Sequence, residues 1–315
     1  MKPNMLKRRI RQGIPQEYRG DAWQRLSGSE TLMFNNKKSY QTLLQQFSGV
    51  EKRIMHDINR TFPKHQLFRH VQGVGQRSLF NVLRAYSVYD RSVKYCQGMG
   101  FVTGLFLCYM TEEETFWMLV AMMRNYDMAG IFKEPLTRVK RLLEVFETLI
   151  ESQLPELAAH LRTIDLQPQT YATQWFMTVY LYSFPFDVVA RVWDAFLAEG
   201  WTFIVRVALA ILRIGQNQML QQHDLESCMK YLKALPLQIN PDTLIRSALE
   251  IRVHPSEISL RESRSLAAEA ASAAEEDVMR IEEKREEKSI VKSVGEIVEG
   301  GVVVVVKKAV GDTRI

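Results

Sequence analysis

The chain has 315 residues, 46% hydrophobic and 24% charged, with 41 Lys and Arg against 36 Asp and Glu. This composition excludes collagen-like and wholly disordered classes, and the length allows two domains or one large domain with an appendage. Charged or strongly polar residues interrupt every apolar stretch well short of the ~18 residues of a span, and the opening MKPNMLKRRIRQG lacks an apolar h-region, so neither a membrane span nor a signal peptide is expected. Cys96, Cys108 and Cys228 form no CxxC pair and cannot complete an even disulfide framework, which points to a reducing compartment.

From about Leu6 to about Val253 the apolar residues recur at helical spacing with no sustained strand-like alternation, so the chain reads as all-α. In chain order, Pro15 suits the first turn of a helix on which Arg19 and Trp23, four apart, share a face. Helices are predicted over 39–61, 76–88 and 99–109. Thr111 followed by Glu112, Glu113 and Glu114 then supplies a hydroxyl cap and three carboxylates where the helix dipole favours negative charge. The stripe Phe116, Leu119, Val120 and Met123 continues that helix, and Val139, Leu142, Leu143, Phe146 and Ile150 mark the next. Further helices are predicted over 155–162, 170–182, 186–198, 203–214, 224–234 and 241–251.

Beyond Pro255 the composition turns to Ala, Glu, Arg and Lys without an aromatic residue, as an exposed helix or a disordered tail would have. Residues 1–256 carry 31 basic and 23 acidic side chains, whereas 257–315 carry 10 and 13, so the globular part is the basic part. A basic body suits an acidic partner, a phosphate-bearing ligand or an anionic membrane surface, and is also common in proteins that bind none of these. The run Val302 to Val306 reads as a sticky end or as a short strand that adds to a partner.

Phosphate-binding glycine loops, HExxH and GxSxG are absent from the sequence, and the six histidines and three cysteines lack metal spacing, so no metal site is expected. Cys96, beside Lys94 and Tyr95, has no histidine near it in sequence and reads as a buried structural thiol. Basic residues do not interleave with aromatics, which leaves nucleic-acid binding without a specific feature.

Three polar segments stand out in this apolar helical context. Arg11, Gly13, Ile14 and Pro15 lead to Arg19 and Trp23. Ile54, Asp57 and Arg60 step by three, placing an apolar foot, a carboxylate and a guanidinium on one helical face before Pro63 ends it; such an Asp–Arg pair is also a common surface device. Tyr95, Gln97 and Gly98, with Gly100 beyond, would project Tyr95 and Gln97 to one side of extended backbone, or form a polar turn before a buried helix.

In this order and spacing the three segments closely resemble the TBC family of GTPase-activating proteins for Rab GTPases. The family's R-x-G-I-P with a following Arg and Trp is matched by Arg11, Gly13, Ile14, Pro15, Arg19 and Trp23, its I-x-x-D-x-x-R by Ile54, Asp57 and Arg60, and its Y-x-Q-G by Tyr95, Gln97 and Gly98. Gly75-Gln76, Tyr171 to Phe176 and Arg191 to Asp194 also look like stretches of that domain. The resemblance implies a single multi-helix TBC domain over 6–253 with a charged tail over 254–315. Because the first motif lies almost at the start of the chain, no additional N-terminal region is expected.

The resemblance further implies that Arg60 is an arginine finger and Gln97 a glutamine finger supplied in trans to a GTP-bound Rab, acting on the GTP and Mg²⁺ held by that partner, with no cofactor of the chain's own. Ile54, Asp57, Tyr95 and Gly98 are expected in the partner-binding site, Asp57 holding Arg60 or contacting GTPase backbone and Tyr95 bracing Gln97. Arg11, Gly13, Ile14, Pro15, Arg19 and Trp23 form a structural motif. The implied setting is vesicle trafficking, in the cytoplasm and peripherally on endomembranes through the partner, without nucleic acid. The competing reading is a Rab-binding scaffold with the fold and no activating activity, for which Arg60 and Gln97 would have no chemical use.

Overall fold

The computed structural model describes residues 3–254 and Ile258, and its regular structure is entirely helical among them. The predicted tail over 254–315, with its Val302 to Val306 run, lies outside the described residues apart from His254 and Ile258. No helix is long and apolar enough to cross a membrane among the described residues.

Three short helices come first, α1 (Pro3–Ile10), α2 (Arg19–Ser27) and α3 (Ser29–Asn35). Pro15 does not sit in the first turn of a helix: with φ −55° and ψ 144° it precedes a 3₁₀ turn, Gln16–Tyr18, and Arg19 opens α2. The single helix expected over 39–61 is two, α4 (Ser39–Leu44) and α5 (Glu51–Ile58). Ser48 breaks it, because its hydroxyl accepts from the Val50 N–H and shares a buried bond with Ser87 on the next helix. α5 ends before Arg60, which therefore lies beyond the helix rather than on its face.

α6 (Val74–Tyr89) and α7 (Met99–Leu107) follow close to expectation. α8 (Glu112–Asn125) begins at Thr111, and the Glu114 carboxylate reaches back to accept from the Thr111 N–H at 2.7 Å, closing a capping box. α9 (Ala129–Phe132), a single turn, and α3, of about two turns, are not indicated by the spacing. Next come α10 (Thr137–Gln153), α11 (Pro155–Thr163) and α12 (Pro168–Thr178). α12 ends four residues earlier than the apolar spacing suggested, since Val179 and Tyr180 adopt left-handed backbone at φ 45° and 68°. The series closes with α13 (Phe186–Glu199), α14 (Trp201–Met219), α15 (Leu225–Ala234), capped by Asp224, and α16 (Pro241–Glu250), capped by Asn240.

One continuous core joins these helices. In the first half α8 is buried along nine consecutive residues from Thr115 to Met123 and packs against α2, α3, α6 and α7. In the second, α14 is the centre, packing against α10, α12, α13 and α16. α12 bridges the halves by touching both α7 and α14.

Candidate functional site

Two loops carry the predicted chemistry. The first leaves α5 through Asn59 and Arg60, whose N–H still donates to the Asp57 carbonyl at 3.2 Å. The Arg60 side chain is 45% exposed, and its Nη2 pairs with Asp57 Oδ1. Asp57 is 8% exposed, so this is not the solvated surface pair that the i,i+3 spacing also allowed. Its other oxygen, Oδ2, accepts from the Tyr95 hydroxyl at 2.6 Å, across 38 residues of sequence. The carboxylate thus joins a buried phenol to an exposed guanidinium. Burial first, and then the bond to Asp57, holds the Tyr95 phenol well above its ordinary pKa, so it stays a donor.

The second loop runs from Tyr95 to Gly98 into α7. Tyr95 is 3% exposed whereas Gln97 is exposed and occupies a turn, so the two do not share a side of extended backbone. The polar turn before a buried helix is the arrangement observed. Tyr95 braces Asp57 rather than Gln97, and no hydrogen bond holds the Gln97 amide among the described residues. Gly98 caps α7 at φ 104°, a conformation in which any side chain would be strained, and this turn is what presents Gln97.

Ile54 is fully buried and Gly98 is buried, so with Tyr95 they are closed to a partner's side chains. Arg60 and Gln97 are the members of the predicted set that stay exposed. Cys96 is buried, and burial pushes its thiol up, as it does for Cys108, up to about 12, and Cys228, up to about 11. None of the three is poised as a nucleophile.

The N-terminal motif gathers around a residue whose part the sequence did not disclose. Asp194, fully buried on α13, accepts from Arg19 Nε at 2.9 Å, Arg19 Nη2 at 3.0 Å, Trp23 Nε1 at 2.8 Å and the Ile14 N–H at 3.0 Å. Burial works against the charge of Arg19, and the bonds to and charge of Asp194 outweigh it, raising its pKa. Arg11 makes a two-point contact with Glu199 at 2.7 and 2.9 Å, and Gly13, at φ 100°, lies under the Arg191 side chain. This motif is a structural knot between α2 and α13. An aromatic chain leads from it toward the loop that follows Arg60: Trp23 meets Tyr109 at 4.9 Å, Tyr109 stacks on Phe186 at 6.1 Å, and Phe186 meets Phe62 at 5.8 Å.

Gln76 was singled out in sequence without a role. It accepts from the Gln72 N–H and donates to the Phe68 carbonyl, stitching the loop before α6 to that helix. Thr61 and Phe62, which follow Arg60 and pack on α7, were missed; only their adjacency to the arginine could have marked them.

The model for the Rab-GTPase-TBC domain family matches residues 16–220. Among similar proteins, the ecotropic viral integration site 5 protein homolog of Homo sapiens is 36% identical over 254 residues, 80% of this chain and 31% of the relative. Rab GTPase-activating protein eat-17 of Caenorhabditis elegans is 37% identical over 232 residues, 74% of this chain and 26% of the relative. The chain thus spans less than a third of these curated relatives. The crystal structure of the Chlamydomonas flagellar RabGAP TBC domain superposes with a TM-score of 0.71 at 30% identity, covering 78% of this chain and 83% of that one. The Ypt/Rab-GAP domain of Gyp1p, at 19% identity and a TM-score of 0.66, shares the fold.

Proposed function

Because the chain belongs to the Rab-GTPase-TBC domain family, we propose that it accelerates GTP hydrolysis by a GTP-bound Rab-family GTPase, lending the partner Arg60 and Gln97. The observation that carries this reading is the exposed Arg60 guanidinium mounted on the buried Asp57–Tyr95 pair, with the exposed Gln97 two residues along the chain from Tyr95 and its amide without a hydrogen-bond partner among the described residues. A planar, always-ionised fork suits the oxygens between the β and γ phosphates, where negative charge develops. An arginine finger is worth about 10³–10⁵ in rate, or roughly 4–7 kcal/mol of barrier. The neutral Gln97 amide can accept from the attacking water and donate to a phosphate oxygen. GTP and Mg²⁺ belong to the partner and are the substrate side of the reaction; the chain brings side chains alone.

Asp57 limits where Arg60 can point without quenching it, because the guanidinium keeps donors for phosphate while one edge is held. On this reading the basic body steers a partner with exposed phosphates, and any place on endomembranes, in the cytoplasm where vesicles are sorted, comes through that partner. Single-turnover phosphate release across a panel of GTP-loaded Rab proteins tests the proposal. Arg60→Ala is expected to abolish nearly all acceleration with the fold retained, and Gln97→Ala to be severely impaired. Wild-type rates from Arg60→Ala remove the finger assignment. Binding of GTP-loaded Rab without acceleration by the unmodified chain supports the scaffold reading instead.

A further inference from the structure

We infer that Thr61 and Phe62, seated on the glycine face of α7, form a positioning clamp that sets Arg60 relative to Gln97; the functional half of this inference rests on the two-finger reading above. Arg60 immediately precedes Thr61, and Gln97 lies two residues before α7, so whatever locks Thr61 and Phe62 to α7 locks one finger to the other.

Gly100 and Gly104 lie four apart, hence on one side of α7, and neither has the positive φ that would call for glycine. Alanine is the better helix former at such sites, so a packing reason is needed. A Cβ at Gly100 would stand 2.9 Å from Thr61 Oγ1, and one at Gly104 would stand 3.1 Å from two atoms of the Phe62 ring. Gly100 and Gly104 therefore serve close approach.

Thr61 has no room to yield. It is 2% exposed, and its hydroxyl donates to the Asp57 carbonyl at 2.9 Å, tying it to the residue that holds Arg60. Phe62 adopts left-handed backbone at φ 47°, a strained state for a bulky side chain that persists only when its surroundings over-determine it. Those surroundings are rings: Phe101 of α7 meets it edge-on at 5.2 Å, Phe186 at 5.8 Å and Phe68 at 6.1 Å. The chain reverses at Phe62 because its side chain is captured on α7, and Arg60 is thrown outward as a result.

The test is a double-mutant cycle on the full chain with two independent readouts. Gly100→Ala is expected to speed hydrogen exchange at the Arg60, Thr61, Met99 and Phe101 amides by about tenfold or more, the scale of an overpacked contact, while the α16 amides are unchanged. Thr61→Ala removes the opposing oxygen, so the double variant returns to within about threefold of Thr61→Ala alone. With a GTP-loaded Rab that the wild-type chain accelerates, kcat falls about a hundredfold in Gly100→Ala with KM within about threefold, and in the double variant it rises to within about threefold of Thr61→Ala alone. Should Gly100→Ala fail to fold, Gly104→Ala, with its looser contact, gives smaller changes in the same direction. Unchanged exchange in Gly100→Ala, or no recovery in the double variant, overturns the clamp whatever the activity. Exchange that responds and recovers while kcat stays at the wild-type value supports the clamp and overturns the finger reading.

Discussion

Tyr95→Phe removes one oxygen atom from the centre of the site while leaving the ring that fills the core. The lost group is a buried hydroxyl donating at 2.6 Å to a carboxylate that is itself 8% exposed. A hydrogen bond to a charged group is worth about 1.5–3 kcal/mol, and burial of both partners favours the upper part of that range. Asp57 would then be held only through Arg60 and the backbone, so its carboxylate follows the guanidinium instead of registering it. If half or more of the bond energy is expressed in the transition state, kcat for stimulated hydrolysis falls about tenfold to a hundredfold. KM should change less than threefold or so, since the hydroxyl touches no partner, a split that a merely destabilised fold does not produce. Single-turnover hydrolysis over a range of concentrations of the chain separates kcat from KM, and a denaturant melt reads stability alongside. A variant that loses stability as expected but retains full kcat refutes the argument: Asp57 would then be a structural acceptor, and Arg60 would find its position without it.

Asp194→Asn keeps volume but leaves the buried Arg19 guanidinium without its counter-charge and turns an NH₂ toward groups that donate. Breaking a buried pair costs about 3–5 kcal/mol, or a Tm drop of roughly 6–20 °C at this size, read by calorimetry. Joining Arg19→Met to Asp194→Asn should recover part of the loss, and strict additivity of the two would contradict the pairing. A separate expectation concerns pH. Burial lowers the pKa of His65, so the folded chain resists a proton that the unfolded chain accepts. That stabilising contribution is intact above the unfolded value of about 6.5 and is lost as pH falls from there through the depressed folded value. Denaturant melts across this window should show wild type losing stability relative to His65→Phe, which keeps ring contacts with Phe68 and Phe186; parallel profiles would remove His65 from the acid response.

The all-helical class was legible in sequence because a 3.6-residue apolar rhythm is a local property, and ten of its segments return as helices near their expected places. Local chemistry also marked Thr111 with its glutamates as a helix start. The family was legible from three short motifs in order. What the spacing misread was decided by contacts from elsewhere. Ser48 splits the 39–61 helix through a hydroxyl on α6, and Gly100 is glycine because Thr61 arrives from another loop.

The amino-acid sequence by itself determined the helical class, most of the helices, the Thr111 cap and the chemical types on offer: a guanidinium, an amide, a carboxylate and a phenol. Only the tertiary structure decided which of them meet. Tyr95 finds Asp57 over 38 residues, and Arg19 finds Asp194 over 175, and no periodicity within a helix encodes such a meeting. Burial then assigns the roles. A carboxylate shielded from water must be satisfied by every donor within reach, so Asp57 and Asp194 become hubs, whereas Arg60 and Gln97, left at the surface, keep their capacity for a partner.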